Sequence, residues 1–340
     1  MWRQKYSNLK EFIAEHKEIA ISENIVAIPE KVRPIFYNLF DEVRRFYLQE
    51  NFSNIIAEAR LLSDNFTKTE NMLMKLLKLK QISVSIFLRE FIQDPEKALM
   101  KKLFDPLFDL LKGKMNFETF EEQVLEDISI FFKKFYSLGY ILWVELSLAK
   151  LLKPDRIFCV NLPEVKITKK LQQFIEDVPF PMETDRLSLE HDPQPTFTVP
   201  DFIIHSANRY VAIRSEYKDA TWIASNASET REWLPLTPNL NPDLLVYVDK
   251  RLEDVALIAD GEKVCRPDFV IECAAKKDWI YEAIERAKLH NKTLKPNFGT
   301  LIISRDEIER NAIQDFNVLP VGFNQRRLQK VISKDILTCL

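Results

Sequence analysis

The chain has 340 residues and 46% hydrophobic, 29% charged side chains, enough to fill a core as a globular protein of about two domains. Its formal charge of −3 excludes a globally basic nucleic-acid binder, though not a local basic surface. Only 5 glycines occur, there is no GxGxxG or GxxxxGK[ST], and phosphate-cradling glycine loops are excluded with them. Residues 1–150 read as five to seven helices. After Pro34, Ile35, Phe36, Leu39, Phe40, Val43, Phe46 and Tyr47 recur with a helical period. Thr67 with Glu70, and Thr119 with Glu122, have the spacing of capping boxes. The stretch 69–92 is apolar nearly all round and predicts a helix buried on several sides. The phenylalanine content of this half predicts core packing, with a partner surface as the alternative.

From about residue 154 the period shortens. Runs rich in β-branched and aromatic residues predict strands at 156–161, 199–205, 210–217, 243–249, 255–259, 268–275, 299–304 and 317–322. Helices are expected over 278–292, 305–314 (opened by a capping box at Ser304 and Glu307) and 324–338, and a long loop over 178–198. The fold class expected is therefore α/β (α+β): an all-helical domain, 1–150, followed by a mixed-sheet domain, 151–340. Residues 151–275 carry a net −7 and residues 276–340 a net +4. No signal peptide and no membrane span is recognised, which predicts a cytoplasmic protein with reduced thiols. Cys159, Cys265, Cys273 and Cys339 form no CxxC pair, which argues against a zinc site.

Pro-Asp occurs four times, at 154–155, 200–201, 242–243 and 267–268, each time before an apolar run. Proline suits the first position of a strand, and aspartate there can accept turn hydrogen bonds. One such aspartate could instead hold a metal at a sheet edge. Pro200-Asp201 followed after fourteen residues by Glu216-Tyr217-Lys218 resembles the PD-(D/E)XK motif of restriction-endonuclease-like nucleases, over about residues 165–340. The resemblance implies that Asp201 and Glu216 hold Mg²⁺ (or Mn²⁺), that Lys218 positions the attacking water, and that DNA is cleaved. Glu216 and Lys218 would share one strand face, about 6.7 Å apart. Arg214 and Ser215 stand where the family has an aliphatic run.

A second set lies downstream. Asp243 opens one strand, and Glu272, Lys276 and Lys277 follow on FVIECAAKK, in a strand–helix–strand–helix–strand order closer to the second half of the nuclease core. Ala274 stands at the lysine position, and Lys276 is about 13 Å from Glu272 along an ideal strand. The reserve site is therefore Asp243, Glu272 and Lys276, with Asp243 and Glu272 as metal ligands. Lys277, Arg326, Arg327 and Lys330 are candidate phosphate contacts. His205 reads as a core or edge histidine, and Trp222 and Trp233 as helix-packing residues. The alternative function is a non-catalytic binding or assembly protein whose nuclease-like sheet is degenerate. In either reading the helical domain could mediate dimerisation or hold a protein partner.

Overall fold

A computed structural model describes residues 1–23, 25–161, 180–190, 199–215, 241–258, 265–307 and 318–330, with the backbone of 166–167, 173–174, 317 and 331. Two compact units result. One comprises Met1–Asp64 with Ile86–Gly139, the other Asn65–Ser85 with Tyr140–Leu340. No helix among the described residues is long and apolar enough to cross a membrane.

The first unit is helical. Its helices are α1 (Trp2–Glu15), α2 (Arg33–Asn51), the first half of α3 (Ser53–Leu77), α4 (Ile86–Gln93), α5 (Pro95–Met100), α6 (Phe104–Leu111) and most of α7 (Phe117–Leu151). Pro34 stands in the first turn of α2, where a missing N–H costs nothing. The apolar stripe of α2 is buried at Phe36, Phe40, Val43 and Tyr47, and these pack with Trp2, Phe108 and Phe120. Aromatic contacts fill this core. Phe40 and Phe108 lie 4.5 Å apart between centroids, and Trp2 meets Tyr47 edge-on at 5.0 Å. The phenylalanines of this half are thus chiefly core residues.

Three helix expectations change. Thr67 lies inside α3, which runs unbroken from Ser53 to Leu77, so it caps nothing. The cap of α7 is Asn116, whose Oδ1 accepts the Thr119 N–H at 2.8 Å, three residues before the expected position. The stretch 69–92 is not one helix: α3 ends at Leu77, a short strand β3 (Gln81–Ser83) follows, then α4, with Ile86 and Phe87 exposed.

The second unit is built on an eight-stranded mixed sheet. In chain order, after a small ribbon of β1 (Ala20–Ser22) and β2 (Ile25–Ala27) in the helical unit, the strands are β4 (Arg156–Asn161), β5 (Lys166–Ile167), β6 (Gln173–Phe174), β7 (Phe180–Glu183), β8 (Arg186–Ser188), β9 (Phe202–Ser206), β10 (Arg209–Ser215), β11 (Leu244–Asp249), β12 (Phe269–Ala274), β13 (Gly299–Ser304) and β14 (Asn317–Pro320). The large sheet has the order β14-β13-β12-β11-β10-β9-β4-β7. Strands β9 to β12 form an antiparallel meander, and β12, β13 and β14 run parallel. The β9–β10 hairpin turns at Ala207 and Asn208, both with positive φ, the pattern that matches strand twist. Between β12 and β13 lies α9 (Ile280–Leu294), which packs Ile280, Ala283, Ile284 and Ala287 onto Ala274 and Ile302. The last described helix is α10 (Gln325–Val331).

Two sheet expectations also change. Residues 255–258 of the expected strand 255–259 are not a strand: Leu252–Ala256 forms helix α8, whose Val255 and Ala256 pack on Leu245 and Val270, and residue 259 lies outside the described residues. The expected loop 178–198 contains β7 and β8. Strand β7 is an edge strand, which is why Pro181 is tolerated in it. Residues 308–316 and 332–340, which hold most of the two C-terminal helix expectations, lie outside the described residues.

Candidate functional site

The four Pro-Asp pairs share a location, and three share one hydrogen-bond device. Asp201, Asp243 and Asp268 each stand one step outside the last paired residues of an antiparallel ladder: Phe202–Ile213, Leu244–Ile271 and Phe269–Val246. In each case the carboxylate accepts the backbone N–H two residues beyond that pair on the neighbouring strand. Ser215 N donates to Asp201 at 2.7 Å, Cys273 N to Asp243 at 2.7 Å and Val248 N to Asp268 at 2.6 Å. The side chain carries the ladder on where the proline, lacking an N–H, ends it. Asp155 uses its carboxylate on a side chain instead, with His205 Nδ1 2.6 Å away. His205 lies on β9, paired with both β10 and β4, and its side chain is mostly buried, which places it on the core side of the core-or-edge expectation.

At two of these positions further charged groups gather. Asp243 is directly across the ladder from Glu272, and both carboxylates face α9. Arg286 donates from Nε to Glu272 Oε2 at 2.8 Å and from Nη2 to Asp243 Oδ2 at 2.9 Å. His290, one turn further along α9, places Nδ1 2.6 Å from Glu272 Oε1. The Glu272 side chain is 0% exposed, that of Asp243 13% and that of Arg286 35%, so the cluster opens to solvent on the arginine side. It lies between two apolar patches, one with Val270 and Leu294, the other with Ala274 and Ala287. Burial, reinforced by the Glu272 charge, pushes the Asp243 carboxyl up to about 7. Burial works against the Arg286 cation, but Asp243 and Glu272 outweigh it and hold the guanidinium charged. The Cys273 thiol is pushed up by burial and then by the same carboxylates.

Around Asp201 the arrangement is closed. Its side chain is 0% exposed and accepts from Arg214 Nη1 at 2.9 Å and from the Ser215 hydroxyl at 2.7 Å. Glu145 of α7 lies beside it, fully buried and within side-chain hydrogen-bond reach of Asp201 and Ser215. Burial first, and then the Asp201 charge, raise the Glu145 carboxyl well above its ordinary range. Glu216 and Lys218, the remaining members of the first expected site, lie outside the described residues, as do Trp222 and Trp233.

The second expected site is therefore assembled as to its carboxylates and not as to its lysine. The Lys276 Nζ sits over the Trp279 ring, 5.8 Å from its centroid. Lys277 is exposed, its N–H bonded to Asp306 at 2.8 Å. Arg326, Arg327 and Lys330 are exposed on α10, with Arg327 paired to Glu307 at 3.1 Å. Among the described residues no group of three or more His, Cys, Asp and Glu side chains is arranged as a metal centre. Sequence reasoning missed Arg286, His290 and Glu145. Each had a signal: Arg286 and His290 are four apart beside the apolar face Ala283–Ala287, and Glu145 is a lone acid inside YILWVELSLA. No family model, curated protein sequence or solved structure matches the chain.

Proposed function

We propose that the sheet unit is a metal-dependent nuclease of the restriction-endonuclease-like kind, working at Asp243 and Glu272 on DNA. One observation supports this above the others. Two carboxylates from adjacent strands, both at motif positions, aim at a single cationic centre that is open to solvent on one side. Hard carboxylate oxygens suit Mg²⁺ or Mn²⁺, and one or two carboxylates suffice when waters and substrate phosphate complete the shell. Asp243 and Glu272 would hold the ion, which when bound supplies charge at the scissile phosphate and a more acidic water. Arg286 would leave the carboxylates and engage phosphate oxygens, for which its planar fork is suited. His290 would keep Glu272 oriented through its 2.6 Å contact. Lys276 and Lys277 would lie along the phosphate path.

The test is cleavage of plasmid and single-stranded DNA in Mg²⁺ or Mn²⁺ by wild type, Asp243→Asn and Glu272→Gln. Metal-dependent nicking lost in both variants is the expected outcome. No cleavage together with no Mn²⁺ binding by calorimetry overturns the reading.

A second reading is favoured by a specific observation: Arg286 already engages both Asp243 and Glu272 within the chain, and His290 engages Glu272. In that reading the network ties β11, β12 and α9 together in a non-catalytic binding or assembly protein. Exposed Ile86, Phe87, Leu125 and Ile130 of the helical unit would then be the candidate partner-facing side chains.

A further inference from the structure

A groove in the sheet unit has no part in the site above. It is lined by Met72, Lys75 and Leu76 of α3, by Lys150, Leu151 and Lys153 at the end of α7, and by Gln329 of α10, and it encloses about 570 Å³. That volume is in the range of small-ligand sites. Its three walls are fixed to each other. Gln325 of α10 donates to Thr69 of α3 at 3.0 Å and to Ser147 of α7 at 3.4 Å, and it accepts from Lys150. The floor is apolar and solvent-facing, with Met72 and Leu76 both exposed.

The rim is cationic. Lys75 and Lys150 lie in the last turns of their helices, where a cation is favoured by the helix dipole. The dipole accounts for each lysine singly. It does not account for three lysines among the lining residues with no carboxylate beside them, one of which, Lys150, points its Nζ at the floor, 3.2 Å from Met72 Sδ. Lys68 adds to the crowding. Burial, and then repulsion from Lys68, lower the Lys150 ammonium below its ordinary value. No ion pair engages Lys68, Lys75 or Lys153 among the described residues, although the protein forms many elsewhere. Cations left together around an apolar surface fit a ligand that is anionic at one end and apolar along its body.

We propose that this groove binds a small amphipathic anion, a carboxylate, sulfonate or phosphate on a short apolar body, with Lys75, Lys150 and Lys153 around the head and Met72, Leu76 and Leu151 under the body. The proposal is independent of the nuclease reading.

Calorimetric titration of the full chain with decanoate tests it, with decanol as the same body without charge and inorganic phosphate as charge without a body. Decanoate is expected to bind at least about tenfold more tightly than either control, a difference of roughly 1.4 kcal/mol. Lys75→Gln with Lys153→Gln should weaken decanoate by a similar factor and leave decanol unchanged. Both lysines are exposed, so the double variant keeps its fold, which circular dichroism verifies. A second variant, Leu76→Asn, should weaken decanoate and decanol together. Equal affinity for decanoate and decanol, decanoate binding unmoved by the double lysine variant, or no decanoate binding each overturns the proposal.

Discussion

Asp201 and Asp243 open two strands of one sheet in the same way and then diverge. Each follows a proline, continues its ladder by accepting one backbone N–H, binds one arginine, and has a second carboxyl group beside it. At Asp201 the arginine is Arg214, and the second acid, Glu145, is fully buried against the Asp201 carboxylate and is pushed toward its neutral form. At Asp243 the arginine comes from α9 and is shared, so the second acid, Glu272, lies in an ion pair, with His290 on its other oxygen. A local motif therefore sets where an aspartate stands, and the element that packs over it sets what its carboxylate can do. A helix that brings a cation makes an ionic cluster. A helix that brings only an acid pushes that acid toward its neutral form.

Isosteric amides should break this comparison most sharply. Glu272→Gln removes the charge that Arg286 and His290 face, at a fully buried position, and should cost about 3 kcal/mol of stability, the low end for breaking a buried pair because glutamine keeps an acceptor oxygen. Glu145→Gln replaces a carboxyl that burial and the Asp201 charge push toward its neutral form, and at pH 7 it should lose no stability. Urea unfolding of the two variants at pH 7 measures both. Equal losses would mean that the two clusters are electrostatically alike.

Arg286→Ala separates the two functional readings. If Asp243 and Glu272 form a cation site, removing the guanidinium should leave a pair of buried carboxylates that takes Mn²⁺ more tightly than wild type, by about tenfold or more, since the competing cation is gone. Calorimetric titration with Mn²⁺ gives the answer, and Arg214→Ala serves as the control that should not respond. If the network is purely structural, Arg286→Ala should lose stability and gain no metal affinity.

The pH dependence carries the same contrast with a definite sign. A carboxyl whose folded-state value is raised binds more protons folded than unfolded, so its contribution to stability is full below its ordinary value and is lost as pH rises toward the folded value. For Asp243 that window runs from 3.8 to about 7. Relative to wild type, Asp243→Asn should therefore gain stability between pH 4 and pH 7. Glu145 is raised from 4.5 in the same direction, so Glu145→Gln should also gain relative to wild type as pH rises above about 5. Urea midpoints at pH 4, 5.5, 7 and 8 would show it, and a flat difference for Asp243→Asn would sink the assignment.

Much of this architecture was legible in the residues and some was not, for physical reasons. Strands β11, β12 and β13 follow from apolar runs behind Pro-Asp or Gly, because both faces of a central strand are buried and its sequence says so. Strand β7 escaped because it pairs on one side only, has exposed side chains and contains a proline. The run at 255–259 looked like a strand because four or five apolar residues do not reveal a period, and packing of Val255 and Ala256 made it part of a helix. Capping boxes misled at Thr67 because a threonine three residues before a glutamate also occurs on the side of a long helix. The pairing of Asp243 with Glu272 follows from the motif, whereas Arg286 and His290 reach it from α9, and the spacing of residues within one helix does not say which strand its polar side chains meet.

The smallest effect isolates the shared device from the charges around it. Asp268 stands as Asp201 and Asp243 do, accepting Val248 N at 2.6 Å and the Asn297 amide at 2.8 Å. Among the described residues no second acid and no arginine takes part in its hydrogen bonds. Asp268→Ala leaves the Val248 N–H without its acceptor at a half-buried strand end and should cost about 1–2 kcal/mol. Hydrogen exchange at Val248 should quicken in step, while Cys273 and Ser215 keep their protection. If instead the loss matches that of Glu272→Gln, the ladder bond itself carries the energy, and the ionic cluster at Asp243 adds little beyond it.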